Sequence, residues 1–197
     1  MGTLGTQPIF TLAAAPTGRS FAITHDGGVW GAIVDSDIAT DPSSPALRGE
    51  LAKLGATRIV VAHARPGHEG DRPALAWTRA SVEALHGACQ RWLGAVAPGA
   101  TLLLWPRADQ LISDIPSAWS LLRTLETERL GLLLDPDAMI TESMRVHRAD
   151  HLQRFADSLA SEPRTALLID RGGLPGDYAP QLPRLRQPEI SHAAHGT

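Results

Sequence analysis

The sequence predicts an α/β fold with a largely parallel sheet. Two observations predict it. Short apolar runs alternate with longer stretches of helical periodicity along the 197 residues. The clearest of those runs are also apolar throughout instead of alternating, as strands covered on both faces are.

Taken in order, Ile9 to Ala14, Phe21 to Thr24 and Val29 to Val34 are the weaker strand candidates. They lie too close together for a full helix between each pair, so the N-terminal third is expected to be irregular or hairpin-like. The clear strands are Arg58–His63, Thr101–Trp105, Leu130–Asp135 and Thr165–Asp170. Between the first two, a helix starts near Pro73, a residue suited to the first helical position. Val82, Leu85, Cys89, Trp92 and Val96 repeat there at three- and four-residue steps, and Pro98-Gly99 ends the pattern. A second helix opens at Ser113-Asp-Ile-Pro116 and turns Trp119, Leu122 and Leu125 inward, with Leu121 alongside. A third runs from about Asp150 with Leu152, Phe155, Ala156 and Leu159 inward, stopping before Pro163. A short fourth helix is expected around Gln181 to Leu185. Residues 1–187 read as one domain, and the ten residues from Pro188 as a loose tail. Two architectures fit this order: a doubly wound open sheet, or a (β/α) barrel with some units lost. In either, polar residues just beyond the strand carboxyl ends line the site.

Composition narrows the function classes. With 43% hydrophobic and 20% charged residues and a net charge of −3, the chain has no basic excess for a nucleic-acid surface. Cys89 is the sole cysteine, which excludes an internal disulfide framework and a multi-cysteine metal site; among apolar helical positions it reads as a small core residue. No signal peptide and no apolar run of membrane length is visible. A soluble cytoplasmic protein is the expectation. No Gly-rich dinucleotide fingerprint follows an early strand, which weakens the open sheet, and G-x-S-x-G and P-loop motifs are absent.

The segments RIVVAHARPG (Arg58–Gly67), TLLLWP (Thr101–Pro106), IPSAWSLLRTLETERLGLLLDP (Ile115–Pro136) and TALLID (Thr165–Asp170), taken in order, resemble the xylose isomerase-like TIM barrel superfamily of sugar phosphate isomerases and epimerases. In that family a strand ending in histidine precedes one ending in glutamate. A helix opening with Thr/Ser-Pro then leads into a glycine, three apolar residues and an aspartate. The resemblance covers residues 55 to 175, about three-fifths of the chain. It implies a TIM-like (β/α) barrel, incomplete or irregular in its N-terminal third. It also implies metal-assisted proton transfer beside a sugar carbonyl, with a sugar or sugar phosphate as substrate and Mn²⁺, Mg²⁺ or Zn²⁺ as cofactor.

Carried over position by position, Asp135 matches the ligand aspartate and His63 a histidine common at its strand end. These two are the candidate catalytic and metal residues. Trp105 stands where the metal-binding glutamate is expected, Ala138 where histidine or asparagine is frequent, and Leu167 where the later ligand histidine falls. Asp170 keeps the family's terminal aspartate, and the last catalytic glutamate has no counterpart, since Glu189 lies in the tail. Two matched ligands are too few for a hard cation, so the metal site reads as dismantled or absent. The alternative function is therefore a non-catalytic binding or partner protein on the same scaffold.

Arg65 and Arg107, each just past a strand end, are the expected holders of a phosphate or carboxylate. Trp105 either plugs the barrel mouth or offers a stacking face to a sugar; Asp170 completes the substrate-binding set. Plainer readings stand beside these. Asp135 before Pro136 simply ends a strand and accepts nearby backbone N–H groups. His63 is a hydrogen-bonded residue at a loop start, and Asp170-Arg171-Gly-Gly is a turn with a surface ion pair. Asp35-Ser-Asp37 and His25-Asp26 are polar clusters that add ligands if their strands are real. His68, Glu69 and Asp71 sit in a Gly-rich loop. His147 and His151 are spaced four apart but lack the intervening glutamate of a helical zinc motif. Eight βα units need about 250 residues, so the chain must lack units, shorten its helices, or associate with itself to cover a sheet edge.

Overall fold

A computed structural model describes residues 9–14, 20–63, 78–172 and 174–186. Eight strands form a closed barrel in sequence order. They are β1 (Ile9–Ala14), β2 (Ser20–His25), β3 (Gly28–Asp37), β4 (Arg58–His63), β5 (Thr101–Leu104), β6 (Leu130–Leu134), β7 (Thr165–Asp170) and β8 (Arg184–Arg186). From β3 to β8 every neighbouring pair is parallel, and β8 returns parallel to β1, with Ile9 opposite Arg184.

The N-terminal third is hairpin-like. β1–β2 and β2–β3 are antiparallel. The second hairpin turns on Asp26-Gly27, both with positive φ (49° and 77°), the backbone that an Asp-Gly pair adopts readily. This resolves the shortage of residues. Eight strands close without eight crossover helices, because the first three pair antiparallel as neighbours and β2 passes to β3 through a two-residue turn. The barrel is complete in strand number, and with the ring closed no sheet edge needs a second copy to cover it.

The crossover helices are α1 (Pro45–Leu54), α2 (Arg79–Ala95), α3 (Ile115–Leu125), a single turn α4 (Pro136–Met139) and α5 (Arg148–Phe155). A 3₁₀ segment (Glu142–His147) leads into α5, which continues as a π-helical turn (Ala156–Ala160). Periodicity missed α1, although its ends are signalled: Ser44 accepts a hydrogen bond from the Leu47 N–H, Pro45 opens the helix, and Gly55 caps it at φ 61°. α2 begins at Arg79 behind the Thr78 cap; residues 64–77, where a start at Pro73 would fall, lie outside the described residues. Its buried stripe is Leu85, Ala88, Cys89 and Trp92, while Val82 is exposed. α3 opens on a reciprocal capping pair, Asp114 and Ser117. It buries Ala118, Leu121 and Leu122, and Trp119 and Leu125 pack half-buried at the margin.

The helix expected at Gln181–Leu185 is instead a turn followed by strand β8. Pro180 and Pro183 deny that stretch helical N–H donors, and the gap between β7 and β1 supplies ladder partners, including Leu168 N–H to the Pro183 carbonyl (2.9 Å). The tail from Pro188 lies outside the described residues.

Strand alternation divides the core into two layers. Phe10, Ile23, Ile33, Val60, Leu103, Leu133, Leu167, Ile169 and Leu185 fill the barrel interior. Ile59, Val61, Leu102, Leu104, Leu132, Leu134 and Leu168 face the helices, against Leu85, Trp92, Leu122, Phe155 and Leu159. Trp92 donates its indole N–H to the Ile38 carbonyl (2.9 Å). The Gly131 of LGLLLD marks a close approach: a Cβ there would collide with the Arg164 carbonyl. Cys89 is fully buried, and burial pushes its thiol up to about 12, which suits a packing residue and not a nucleophile.

Candidate functional site at the barrel mouth

Three consecutive strands deliver one inward residue each to the same level of the C-terminal mouth. Along β5, Leu103 points inward and Trp105 follows two positions on. Along β6, Leu133 is followed by Asp135, and along β7, Ile169 is followed by Arg171. Side-chain period two therefore carries Trp105, Asp135 and Arg171 to a common centre.

Asp135 has 0% exposure. Its Oδ2 accepts from Arg171 Nη2 (2.6 Å), Arg171 Nε (3.0 Å) and Trp105 Nε1 (3.1 Å). Its Oδ1 accepts from Arg171 Nε (3.2 Å) and the Ala138 N–H (3.2 Å), the latter capping α4. The plain reading of Asp135 as strand-ender and cap and the reading as a mouth residue thus describe the same side chain. A buried carboxylate is costly unless paired and hydrogen-bonded, and here Arg171, Trp105 and the Ala138 N–H all donate to it. In return, the Asp135 carboxylate holds the Arg171 guanidinium above its ordinary value, against the opposing effect of burial, with Asp137 adding to the rise. Asp137 is itself paired to Arg148 (2.7 Å).

Trp105 is 7% exposed and belongs to the interior cluster, so its body plugs the barrel below the mouth. Two guanidinium carbons lie 5.9 Å from its ring centroid, those of Arg107 and Arg171. Arg107 is positioned by its loop. Its N–H donates to the Ile112 carbonyl (2.9 Å) and the Ala108 N–H to the Ala138 carbonyl (2.8 Å). Gln110 reaches the Ala62 carbonyl (3.3 Å). Arg107 pairs with Asp109 at 3.3 Å, and the Arg107 and Arg171 side chains are 32% and 38% exposed.

The remaining expected residues are placed as follows. Asp170 sits on the other parity of β7 and is held by Arg184 (3.1 Å) and the Gly172 N–H (3.0 Å). His63 closes β4 in register with Asp37 of β3, whose Oδ1 accepts from the Ala39 N–H (2.7 Å). Arg65 and the His68, Glu69 and Asp71 loop lie outside the described residues. His25 and Asp26 pair at 3.1 Å, but at the base of the barrel, remote from the mouth. Among the described residues no group of three histidine, cysteine or acidic side chains converges as metal ligands.

A divalent cation does not fit the donor set around Asp135. Both carboxylate oxygens face N–H donors, a guanidinium stands over them, and the neighbouring strand ends in an indole, which donates and does not ligate. Sequence reasoning missed Arg171, the residue that decides this. Its signal was the parity after Ile169, hidden because Asp-Arg-Gly-Gly also spells a surface turn.

No protein-family model matches the chain, and no curated protein matches it. Solved structures with a similar course include the probable 3-DHS dehydratase AsbF of Bacillus anthracis, at 13% identity and TM-score 0.48, covering 77% of this chain and 53% of that one. The 3-keto-D-glucoside 4-epimerase YcjR of E. coli is 17% identical at TM-score 0.46, covering 71% and 59%. A xylose isomerase-like TIM barrel protein of Mycobacterium smegmatis, in complex with magnesium, is 15% identical at TM-score 0.42, covering 87% and 76%. This chain spans little more than half the length of the first two, and at these values the likeness identifies neither a ligand nor a reaction. What stands on the chain's own strand order is the architecture, a closed eight-stranded barrel among the described residues.

Proposed function

We propose that this chain is a small-molecule binding protein on an isomerase-like barrel, taking a sugar or sugar phosphate at the C-terminal mouth without a divalent cation. The observation that carries the reading is the Arg171 guanidinium on both oxygens of Asp135. A metal-assisted isomerase needs that carboxylate open to a cation that polarises the sugar carbonyl. Here a cation of the chain's own already lies on it. A base must also reach the proton it removes, and Asp135 is fully buried. The groups a ligand meets first are the half-exposed guanidiniums of Arg107 and Arg171 beside the Trp105 plug. Planar forks of this kind bind phosphate or carboxylate well. His63 at the end of β4, and Arg65 two residues further on, are the proposed additional contacts.

The isomerase or epimerase reading survives on one condition, that substrate draws Arg171 away from Asp135 and a metal replaces it. Thermal-shift measurements separate the two. Mn²⁺, Mg²⁺, Zn²⁺ and EDTA are expected to leave the melting temperature unchanged, while a panel of sugar phosphates raises it in the wild type and not in Arg107→Ala. A cation-dependent rise that vanishes in Asp135→Asn would overturn the binding-protein reading in favour of the metal enzyme.

A further inference from the structure

On the outer wall of the barrel, toward its base, the C-terminal ends of α1 and α2 leave a cleft of about 500 Å³. Its walls are Leu51, Ala52 and Ala56 from α1 and the turn after it, Ile59 at the start of β4, and Val96 and Ala100 between α2 and β5. The space has a sequence cause. The stretch from Ala95 to Ala100 carries alanine, valine, proline and glycine, with no side chain long enough to cross to α1. Correspondingly, α1 buries none of its residues fully, and Leu47 and Leu51 are only partly covered. A helix over a barrel strand normally buries an apolar stripe, so α1 stands over an open apolar space of the size that accepts small ligands.

One charged side chain lines this space, Arg48. Its backbone N–H donates to the Ser44 carbonyl, while its exposed guanidinium makes no hydrogen bond or ion pair among the described residues. The Asp41 carboxylate senses it only at a distance, after its own hydrogen bonds from Ser43 and after Arg91. The other nearby arginine, Arg129, is engaged, donating to the Ala97 and Ala100 carbonyls at 3.0 Å each. An apolar cavity with a single unpaired guanidinium complements a molecule with an apolar body and one acidic end. We propose that this cleft is a second ligand site, separate from the mouth, for a small apolar carboxylate such as a medium-chain fatty acid, whose acid group pairs with Arg48.

Isothermal titration calorimetry with decanoate, and with decanol as the uncharged control, tests this. One decanoate per chain is expected to bind the wild type, and decanol about threefold to fivefold more weakly, the range of an exposed ion pair. Arg48→Gln should bring decanoate down to the decanol level. Ala52→Trp and, independently, Ala97→Trp fill the cleft from exposed positions on either side and should abolish binding of both, with far-ultraviolet circular dichroism reporting that each variant is folded. Absence of binding to the wild type at millimolar decanoate overturns the proposal. So does undiminished binding in a folded tryptophan variant, which would locate the ligand elsewhere. Equal binding of decanol and decanoate, unchanged by Arg48→Gln, overturns the assignment of the acid group.

Discussion

At its mouth the barrel is closed by Trp105, Asp135 and Arg171, a hydrogen-bonded set around a fully buried carboxylate. At its base it is closed by rings. Phe10 stands edge-on to His25 at 4.7 Å and to Trp30 at 5.2 Å, and Arg58 lies 4.6 Å from the Trp30 ring centroid. Both ends use an arginine and a tryptophan, yet the physics differs. At the mouth every partner is directional, and removing Arg171 leaves the buried Asp135 charge without compensation. At the base the contacts are quadrupolar and apolar, and removing one forfeits area and a modest attraction. The mouth is therefore the brittle end and the base the forgiving one.

The sharpest way to break this comparison is Arg171→Met. It should cost about 3–5 kcal/mol in chemical denaturation, because Asp135 stays buried and unpaired. Adding Asp135→Asn to it should restore most of the loss, since the uncompensated charge is gone. A single-variant loss below about 1 kcal/mol would mean that water reaches the pair, and the two ends would then be alike.

An intermediate effect comes from neither end. Cys89, between α2 and the barrel, has its thiol raised by burial from 9.0 to about 12, and burial also raises the Tyr178 hydroxyl, which donates to the Leu152 carbonyl. A folded value above the unfolded one stabilises fully below the unfolded value and loses that contribution as pH climbs toward the folded one. For Cys89 the window runs from pH 9.0 to about 12. Each such group contributes a fall of up to about 1.4 kcal/mol per pH unit. Denaturation from pH 8 to 11 should show this fall with equal slope in variants of either end, and a shallower one in Cys89→Ala. The smallest effect belongs to the base. Arg58→Ala should cost about 0.5–1 kcal/mol, the value of a surface cation–π contact, and a loss matching that of Arg171→Met would erase the distinction.

Much of the scaffold was legible in the residues themselves. Leu102–Leu104, Leu130–Leu134 and Ala166–Ile169 are apolar throughout, and such runs announce strands covered on both faces. The close spacing of the first three candidates announced a hairpin-like N-terminal third. α1 was hidden because its apolar stripe is thin, Leu47 and Leu51 over the cleft, so periodicity had little to register. β8 was hidden because three residues between prolines carry no period at all, and only the gap between β7 and β1 makes them a strand. At the mouth, Asp135 and Trp105 were legible as inward strand ends. Their relationship was not, because a hydrogen bond across 30 positions of sequence has no local signature. Arg171 was the hardest, since one tetrapeptide encodes both a surface turn and an inward guanidinium.

One outward-facing residue has a kinetic consequence. Arg184 on β8 is 6% exposed, and besides Asp170 it donates to the carbonyls of Pro175, Gly176 and Tyr178. Residues 174–178 have no regular structure of their own, yet a single guanidinium nails them to the strand that completes the ring. Irregular loops usually exchange their amide hydrogens early, through local fluctuations. The Tyr178 amide, bonded to the Pro175 carbonyl that Arg184 also holds, is therefore expected to exchange more slowly than an ordinary loop amide, and faster in Arg184→Ala, as hydrogen-exchange measurements would read.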